Sequence, residues 1–152
     1  KIINNFKGLS HRLEKIYQND NLQVINNSKA TNIDASIKSI MNFENINLIL
    51  GGKKDKKEKE FNKILKYKKK INKVYLIGEA SISIYKQLKN EINCEICNNL
   101  EIAIKKIFLD LKKYKTFQTI LFAPACTSFD QFKNYEDRGK RFIELITEIA
   151  NE

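Results

Sequence analysis

The chain has 152 residues, of which 42% are hydrophobic and 30% charged. This composition is enough for one hydrophobic core and predicts a single domain. No stretch approaches the roughly 18 to 20 uninterrupted apolar residues of a membrane span, and the opening KIINNFKGLS lacks the apolar block of a signal peptide. We therefore expect a soluble, cytoplasmic protein with no membrane partner.

The formal charge of +10 raises the question of a nucleic-acid partner. The cations comprise 25 lysines and only three arginines, Arg12, Arg138 and Arg141, whereas nucleic-acid surfaces favour the bidentate guanidinium. Lysine, asparagine and isoleucine are abundant together, which is typical of a compositional bias in an AT-rich genome. We expect no nucleic-acid partner.

Cys94 and Cys97 form a C-x-x-C pair, which occurs in zinc and thiol-exchange sites. A structural zinc site would need two further ligands, and the remaining candidates are Cys126 and the single histidine, His11. We interpret the cysteines as small apolar residues in and around a strand, and we expect no metal site in this chain.

The predicted elements begin with a hairpin over residues 11–26, HRLEKIYQNDNLQVIN, whose turn is the polar cluster Gln18 to Asn21. Four later runs are typical of strands buried on both faces. They are INLILGG (46–52), KVYLIGE (73–79), INCEIC (92–97) and QTILFAPA (118–125).

Segments between and after these strands have apolar residues three and four positions apart, which predicts helices. They are ASIKSIMNF, FNKILKYKK, SISIYKQLKN, LEIAIKKIFLDLKKY and RFIELITEIA. Alternation of strands and helices predicts an α/β fold: a mostly parallel sheet of about six strands with one antiparallel edge strand and helices on both faces.

Polar residues collect where three strands end, at residues 26–32, 51–57 and 124–138. In the first group, Lys29 and the neighbouring hydroxyls precede a helix that should begin near Asn32 or Ile33. A helix N-terminus with a lysine beside it favours a carboxylate or phosphate. The alternative is that Thr31 or Asn32 only caps the helix and Lys29 extends into solvent.

The third group, APACTSFDQFKNYEDRG (123–139), contains the chain's single proline, hydroxyls, aromatic residues and Arg138. Its density of functional groups is unusual for a connecting loop. Phe129 and Phe132 are alternatively core residues, and Thr127 or Ser128 alternatively a cap. Near the start, the pair His11-Arg12 has the chemistry to stack on a base and hold a phosphate.

Four motifs in this order resemble the C-terminal domain of the Mur ligases, over essentially the whole chain from Phe6 onward. They are FKGLSHRLE (6–14), INNSKATN (25–32), LILGG (48–52) and the long, specific motif of residues 123–139. The resemblance is nearest to the branch that adds D-glutamate to UDP-N-acetylmuramoyl-L-alanine in peptidoglycan synthesis. It implies a Rossmann-like domain, residues 1–152, that closes over a central ATPase domain.

The family's reaction uses ATP and Mg²⁺ to phosphorylate a carboxylate, which the amine of the incoming amino acid then attacks. By resemblance, D-glutamate would be bound by Thr31, Ser128, Tyr135, Lys29 and a lysine after Gly52. That lysine could be Lys54, Lys56 or Lys57, because the loop is longer than is usual in the family. His11, Arg12 and Asn27 would face ATP.

The chain departs from the family at Asn27, where the family has aspartate, and at Tyr135, where it has phenylalanine. The 152 residues contain no GxxxxGK[ST] phosphate loop and no plausible UDP-sugar site. We therefore expect the central ATPase and N-terminal UDP-binding domains to lie outside this chain, and the chain alone to be inactive and monomeric. An alternative from another class is a stand-alone α/β module that holds an acidic partner on the lysine-rich run Lys53 to Lys70.

Overall fold

The structure is a computed structural model that describes residues 10–152, so the part of the first motif from Phe6 to Leu9 lies outside it. Its six strands are β1 Glu14–Gln18, β2 Leu22–Asn26, β3 Ile46–Gly51, β4 Ile71–Ile77, β5 Cys94–Asn98 and β6 Gln118–Ala125. The α-helices are α1 Ile33–Ile40, α2 Ser81–Leu88, α3 Leu100–Leu111 and α4 Tyr135–Ala150, and a 3-10 helix spans Phe61–Lys70.

The strands form one sheet in the order β1-β2-β6-β3-β4-β5. β1 pairs with β2 in the antiparallel direction, and all other neighbours are parallel. The predicted α/β class, the strand number and the antiparallel edge strand are therefore confirmed.

Hydrophobic side chains on the two faces of the sheet form two core clusters. On one face, Ile40 of α1, Ile64 of the 3-10 helix and Ile84 of α2 are fully buried. On the other face, Ile104 of α3 and Phe142 of α4 are fully buried. The helices therefore cover both faces, as predicted, and leave the carboxyl ends of the parallel strands for the loops.

The segment INCEIC was predicted to be buried on both faces, and this is wrong. β5 lies at the edge of the sheet, paired only with β4 among the described strands. Ile96 is consequently 41% exposed. A short apolar run predicts a strand but does not reveal whether that strand has a neighbour on both sides.

Two helices differ from their predicted form. The segment from Phe61 is a 3-10 helix with a kink at Tyr67, and no side chain caps its start. Its fully buried residues, Phe61 and Ile64, are three apart, which aligns them on a helix with three residues per turn. The last helix begins at Tyr135, six residues before the predicted start at Arg141, because the Asn134 side chain accepts a hydrogen bond from the Asp137 N–H and caps it.

Candidate functional site

Three loops meet at the carboxyl edge of the sheet, and we call them loop A (residues 27–32), loop B (52–60) and loop C (126–134). Loop A continues from β2, loop B from β3 and loop C from β6. The N–H of Ala125 donates to the Ala30 carbonyl at 2.9 Å, and the N–H of Lys53 donates to the Thr127 carbonyl at 2.9 Å. The loops that the sequence singled out are thus joined directly by main-chain hydrogen bonds.

Loop A holds Lys29 with its ammonium group beside an aromatic ring. Nζ of Lys29 lies 5.7 Å from the centre of the Tyr135 ring, at the first turn of α4. Within residues 10–152, no carboxylate pairs with this ammonium group. Two of the predicted ligand-binding residues are therefore adjacent, and one of them carries an unpaired positive charge.

Thr31 ends loop A, and Asn32 after it caps α1 by accepting a hydrogen bond from the Ala35 N–H at 2.8 Å. The capping role that we considered for either residue thus belongs to Asn32. The hydroxyl of Thr31 bonds to no other residue in the described part of the chain. It remains available to a ligand.

Asn27 lies in loop A but uses its side chain inside the protein. Its Oδ1 accepts a hydrogen bond from the Leu13 N–H at 3.3 Å, and its Nδ2 donates to the Ser39 hydroxyl on α1. Asn27 therefore fixes loop A between the start of the hairpin and α1. Its predicted contact with ATP stays a prediction.

Loop B brings a lysine, Lys59, to loop A and to the end of β6. Its ammonium group donates to the carbonyls of Ala125 and Thr31, at 3.1 and 3.4 Å, and pairs with Asp55 at 3.1 Å. Sequence reasoning missed Lys59, since nothing distinguishes it within a run of ten lysines.

The lysines predicted for this role, Lys54, Lys56 and Lys57, are all exposed. Lys57 and Lys59 line a cleft of about 680 Å³ between loop B and the start of α1. Of the three predicted lysines, Lys57 is the one that borders this cleft.

Loop C buries Ser128, whose side chain is 2% exposed. Its carbonyl accepts hydrogen bonds from the N–H groups of Gln131 and Phe132, which form a tight turn. Its hydroxyl has no hydrogen-bond partner among residues 10–152. Phe132 packs against the core, whereas Phe129 is 62% exposed, so the core interpretation holds for only one of these aromatic residues.

The side chains of loop C also hold it across the ends of two further strands. Oδ2 of Asp130 accepts a hydrogen bond from the Glu79 N–H after β4, and Nε2 of Gln131 donates to the Asn98 carbonyl at the end of β5. Ser128 consequently lies in a loop that its near neighbours Asp130 and Gln131 fix to two strand ends.

His11 is buried beneath α4, in a left-handed backbone conformation with φ of 64°. Nδ2 of Asn26 donates to Nδ1 of the imidazole at 2.8 Å and to the Glu14 carboxylate at 3.1 Å. Burial lowers the pKa of His11 below its usual value, against the opposing effect of Glu14. Gly139 makes this packing possible, because a Cβ there would lie 2.2 Å from the imidazole.

Arg12, in contrast to its neighbour, is exposed. Its guanidinium group makes no ion pair or hydrogen bond with the described residues. Arg12 is thus free to contact a phosphate, while His11 is held in place; both nucleotide contacts stay predictions.

Metal binding, thiol chemistry and membrane insertion are three alternative roles for the described residues. Within the described ranges, no group of three or more His, Cys, Asp or Glu side chains is arranged to hold a metal ion. Burial raises the pKa of both Cys94 and Cys97 to about 11, which disfavours the thiolate that zinc binding and thiol exchange require. No helix between residues 10 and 152 is long and apolar enough to cross a membrane.

Known proteins resemble this chain over most of its length. UDP-N-acetylmuramoylalanine–D-glutamate ligase of Wolbachia sp. subsp. Brugia malayi is 37% identical over 149 residues, which cover 98% of this chain and 30% of the relative. The proteins of the same name from Prochlorococcus marinus and Rickettsia prowazekii are each 40% identical, over 96% and 94% of this chain and 32% of their own lengths. The chain therefore spans about a third of the length of these curated relatives.

A solved structure, the murein peptide ligase mpl from Psychrobacter arcticus, superposes with a TM-score of 0.56 over 91% of this chain and 30% of its own. Its sequence identity is 8%, so it supports the fold alone. Residues 11–126 match the family described as "Mur ligase, glutamate ligase domain". This match contains loops A and B and all six strands, and it shows that the chain belongs to the Mur ligase C-terminal domain family.

Proposed function

We propose that residues 1–152 are the C-terminal, amino-acid-binding domain of an ATP-dependent ligase. This ligase would add D-glutamate to UDP-N-acetylmuramoyl-L-alanine in peptidoglycan synthesis. The observation that carries the proposal is the identity of 37 to 40% along nearly the whole chain with proteins named for this reaction.

The geometry of the carboxyl edge agrees with a small ligand that carries two carboxylates. Among residues 10–152, the hydroxyls of Ser128 and Thr31 and the ammonium group of Lys29 have no hydrogen-bond or ion-pair partner, and all three lie in loops A and C. Hydroxyl donors and a cation suit carboxylates, because they form charge-assisted hydrogen bonds with them. Open α/β sheets bind ligands at the carboxyl ends of their strands, which is where these groups lie. Tyr135 would pack against the ligand beside Lys29.

In this proposal the chain's residues bind and orient D-glutamate so that its amine meets the activated carboxylate of the second substrate. Orientation of this kind lowers the barrier by removing translational and rotational freedom before the reaction. Lys57 or Lys59 would contact a carboxylate from loop B, because these two lysines line the cleft beside α1 whereas Lys54 and Lys56 do not.

ATP would meet this domain through Arg12, with Asn27 and His11 behind it, and would be bound mainly by a central ATPase domain. Mg²⁺ would be held there too, because the described residues of this chain offer no cluster of ligands for it. The proposal places the ligase in the cytoplasm, as a monomer.

Turnover by the full-length ligase tests the proposal. Phosphate release from ATP is measured with UDP-N-acetylmuramoyl-L-alanine and one amino acid at a time: D-glutamate, L-glutamate or D-aspartate. We expect release with D-glutamate and at most background release with the other two. Equal turnover with L-glutamate, or no D-glutamate-dependent release, would contradict the proposal.

A further inference from the structure

Arg138 has the largest side chain that the described structure buries completely, with 1% of it exposed. Its Nε and Nη2 donate to the hydroxyl and carbonyl of Ser28, at 3.0 and 2.7 Å, and its Nη1 donates to the Cys126 carbonyl at 2.9 Å. One planar guanidinium group therefore joins loop A to loop C.

The positive charge of Arg138 has no paired carboxylate. No Asp or Glu lies within ion-pair distance of it in the described chain, and residues 1–9 contain neither residue type. The negative charge of Asp130 favours the charged form of Arg138, but from beyond ion-pair distance. The Asp130 carboxylate also accepts a hydrogen bond from the Glu79 N–H. Buried charges in proteins are normally paired, because desolvation of an ion is costly. Burial accordingly lowers the pKa of Arg138 to about 10.

The guanidinium group lies close to the edge where the three loops meet. A Cβ on Gly52 would lie 3.3 Å from Nη1 of Arg138 and 2.4 Å from the Thr127 carbonyl. Ser28 directly precedes Lys29, and Cys126 is two residues before Ser128. Arg138 thus holds loop A one residue before Lys29 and loop C two residues before Ser128, and both of those residues are ones that we assign to the ligand.

From this geometry we infer that Arg138 is a positioning residue: it sets loop A against loop C, and its unmatched charge favours an anionic ligand at the edge above it. The inference rests on the proposed function. The ligand supplies the negative charge that the protein lacks around Arg138, so a carboxylate binds more tightly than the exposed groups alone would achieve.

Steady-state kinetics of Arg138→Met and Arg138→Lys in the full-length ligase test this inference. Arg138→Met removes both the charge and the hydrogen bonds, and it should raise the KM for D-glutamate at least about thirtyfold. Arg138→Lys keeps the charge and should limit the rise to about fivefold. The KM for ATP should stay within about twofold in both, because Arg12 and not Arg138 faces the nucleotide.

Arg141→Met is the matched control, since Arg141 lies on the same helix, is partly exposed and pairs with Glu144. It should leave both KM values unchanged. A merely structural role for Arg138 predicts a different result, because partial unfolding reduces the active fraction and hence kcat but not KM. A fall in kcat with an unaltered KM for D-glutamate would overturn the inference, as would equal KM values for the Lys and Met variants.

Ser28→Ala provides a second test should Arg138→Met fail to fold. It removes the acceptor of Nε of Arg138 together with the donor to the Tyr135 carbonyl, and it keeps the cation. It should raise the KM for D-glutamate about threefold to tenfold. An unchanged KM in Ser28→Ala would contradict the positioning role. Absence of D-glutamate-dependent turnover in the unaltered ligase would refute the proposed function itself, whereas an active ligase with insensitive variants would refute only the role of Arg138.

Discussion

Residues at the carboxyl edge divide into those with free polar atoms and those whose polar atoms bond within the protein. With respect to the described residues 10–152, Ser128, Thr31 and Lys29 belong to the first group, and Asn27 and His11 belong to the second. The first group can meet a ligand directly, while the second holds the loops. This division gives separate expectations for mutations in each group.

Ser128→Ala should raise the KM for D-glutamate about tenfold to a hundredfold in the full-length ligase, because a hydrogen bond to a charged carboxylate contributes about 1.5 to 3 kcal/mol. The KM for ATP should change little. Arg12→Ala should have the reverse effect, since its exposed guanidinium group would bind phosphate. Steady-state kinetics with each substrate varied in turn measures both constants.

Thr147→Val is the control for this pair, because the Thr147 hydroxyl bonds to the Ile143 carbonyl near the other end of α4. It should alter neither KM. If Ser128→Ala raised the KM for ATP and left the KM for D-glutamate unchanged, the assignment of loop C to the amino acid would be wrong.

His11 makes stability depend on pH. Burial lowers its pKa in the folded state, against the opposing effects of Glu14 and Glu136 and together with that of Lys140. The unfolded chain therefore binds the proton first as the pH falls through about 6.5, and the free energy of unfolding falls from there toward the lowered pKa. Protonation would also place a hydrogen on the Nδ1 that accepts the Asn26 amide.

Urea denaturation between pH 7.5 and 5.5 tests this expectation, using about one pH unit on either side of the normal histidine pKa. His11→Asn should flatten the pH dependence, and asparagine tolerates the left-handed backbone of this position. Glu95 and Asp110, whose pKa values are lowered, titrate below this pH range in the unaltered protein and in the variant, so they do not contribute to the difference. Equal pH dependence in both proteins would show that His11 is not the titrating group.

Sequence reasoning could place Lys29 and Ser128 after strands because both follow apolar runs, and strand ends are recognised from local patterns; their ligand roles stay predictions. It could not find the burial of Arg138 or the contacts of Lys59. Those contacts join residues 110 and 66 positions apart, respectively, and depend on which strand lies beside which. The strand order β2-β6-β3, which brings loops A, B and C together, has no local signal in the sequence.

At the scale of elements, asparagine caps three helices that begin at or near the carboxyl edge. Asn32 caps α1, Asn99 caps α3 and Asn134 caps α4, each through a side-chain oxygen that accepts a main-chain N–H. The sequence predicted the first of these starts, since Asn32 stands directly before a periodic run. It misplaced the start of α4, because the apolar period of that helix becomes clear only after Arg141.

Asn134→Ala and Asn99→Ala form a matched pair of cap substitutions. Each should lower the free energy of unfolding by about 1 kcal/mol, because each leaves one N–H at a helix start without its acceptor. Asn134→Ala should also raise the KM for D-glutamate, because α4 begins with Tyr135 and carries Arg138. Denaturation and kinetics on both variants check this, and an equal effect of Asn99→Ala on that KM would argue against a specific role for α4.

At the scale of the whole molecule, the described residues combine a core on both faces of the sheet with three loops at its carboxyl edge. Both faces of the sheet are covered by helices, with fully buried clusters on each side. The α/β class and the number of strands followed from alternation along the chain, which is a property of the sequence as a whole. The positions of the loops on one edge followed from the parallel direction of the strands.

The purified chain of residues 1–152 should therefore fold but not catalyse. We expect cooperative thermal unfolding, because the domain buries its own core. We also expect no phosphate release above background from ATP with D-glutamate and UDP-N-acetylmuramoyl-L-alanine, because these 152 residues contain no GxxxxGK[ST] loop to hold the triphosphate. Circular dichroism and a phosphate assay on one preparation measure both properties. Turnover by this chain alone would show that it carries its own ATP site, and that our assignment of ATP binding to a central domain is wrong.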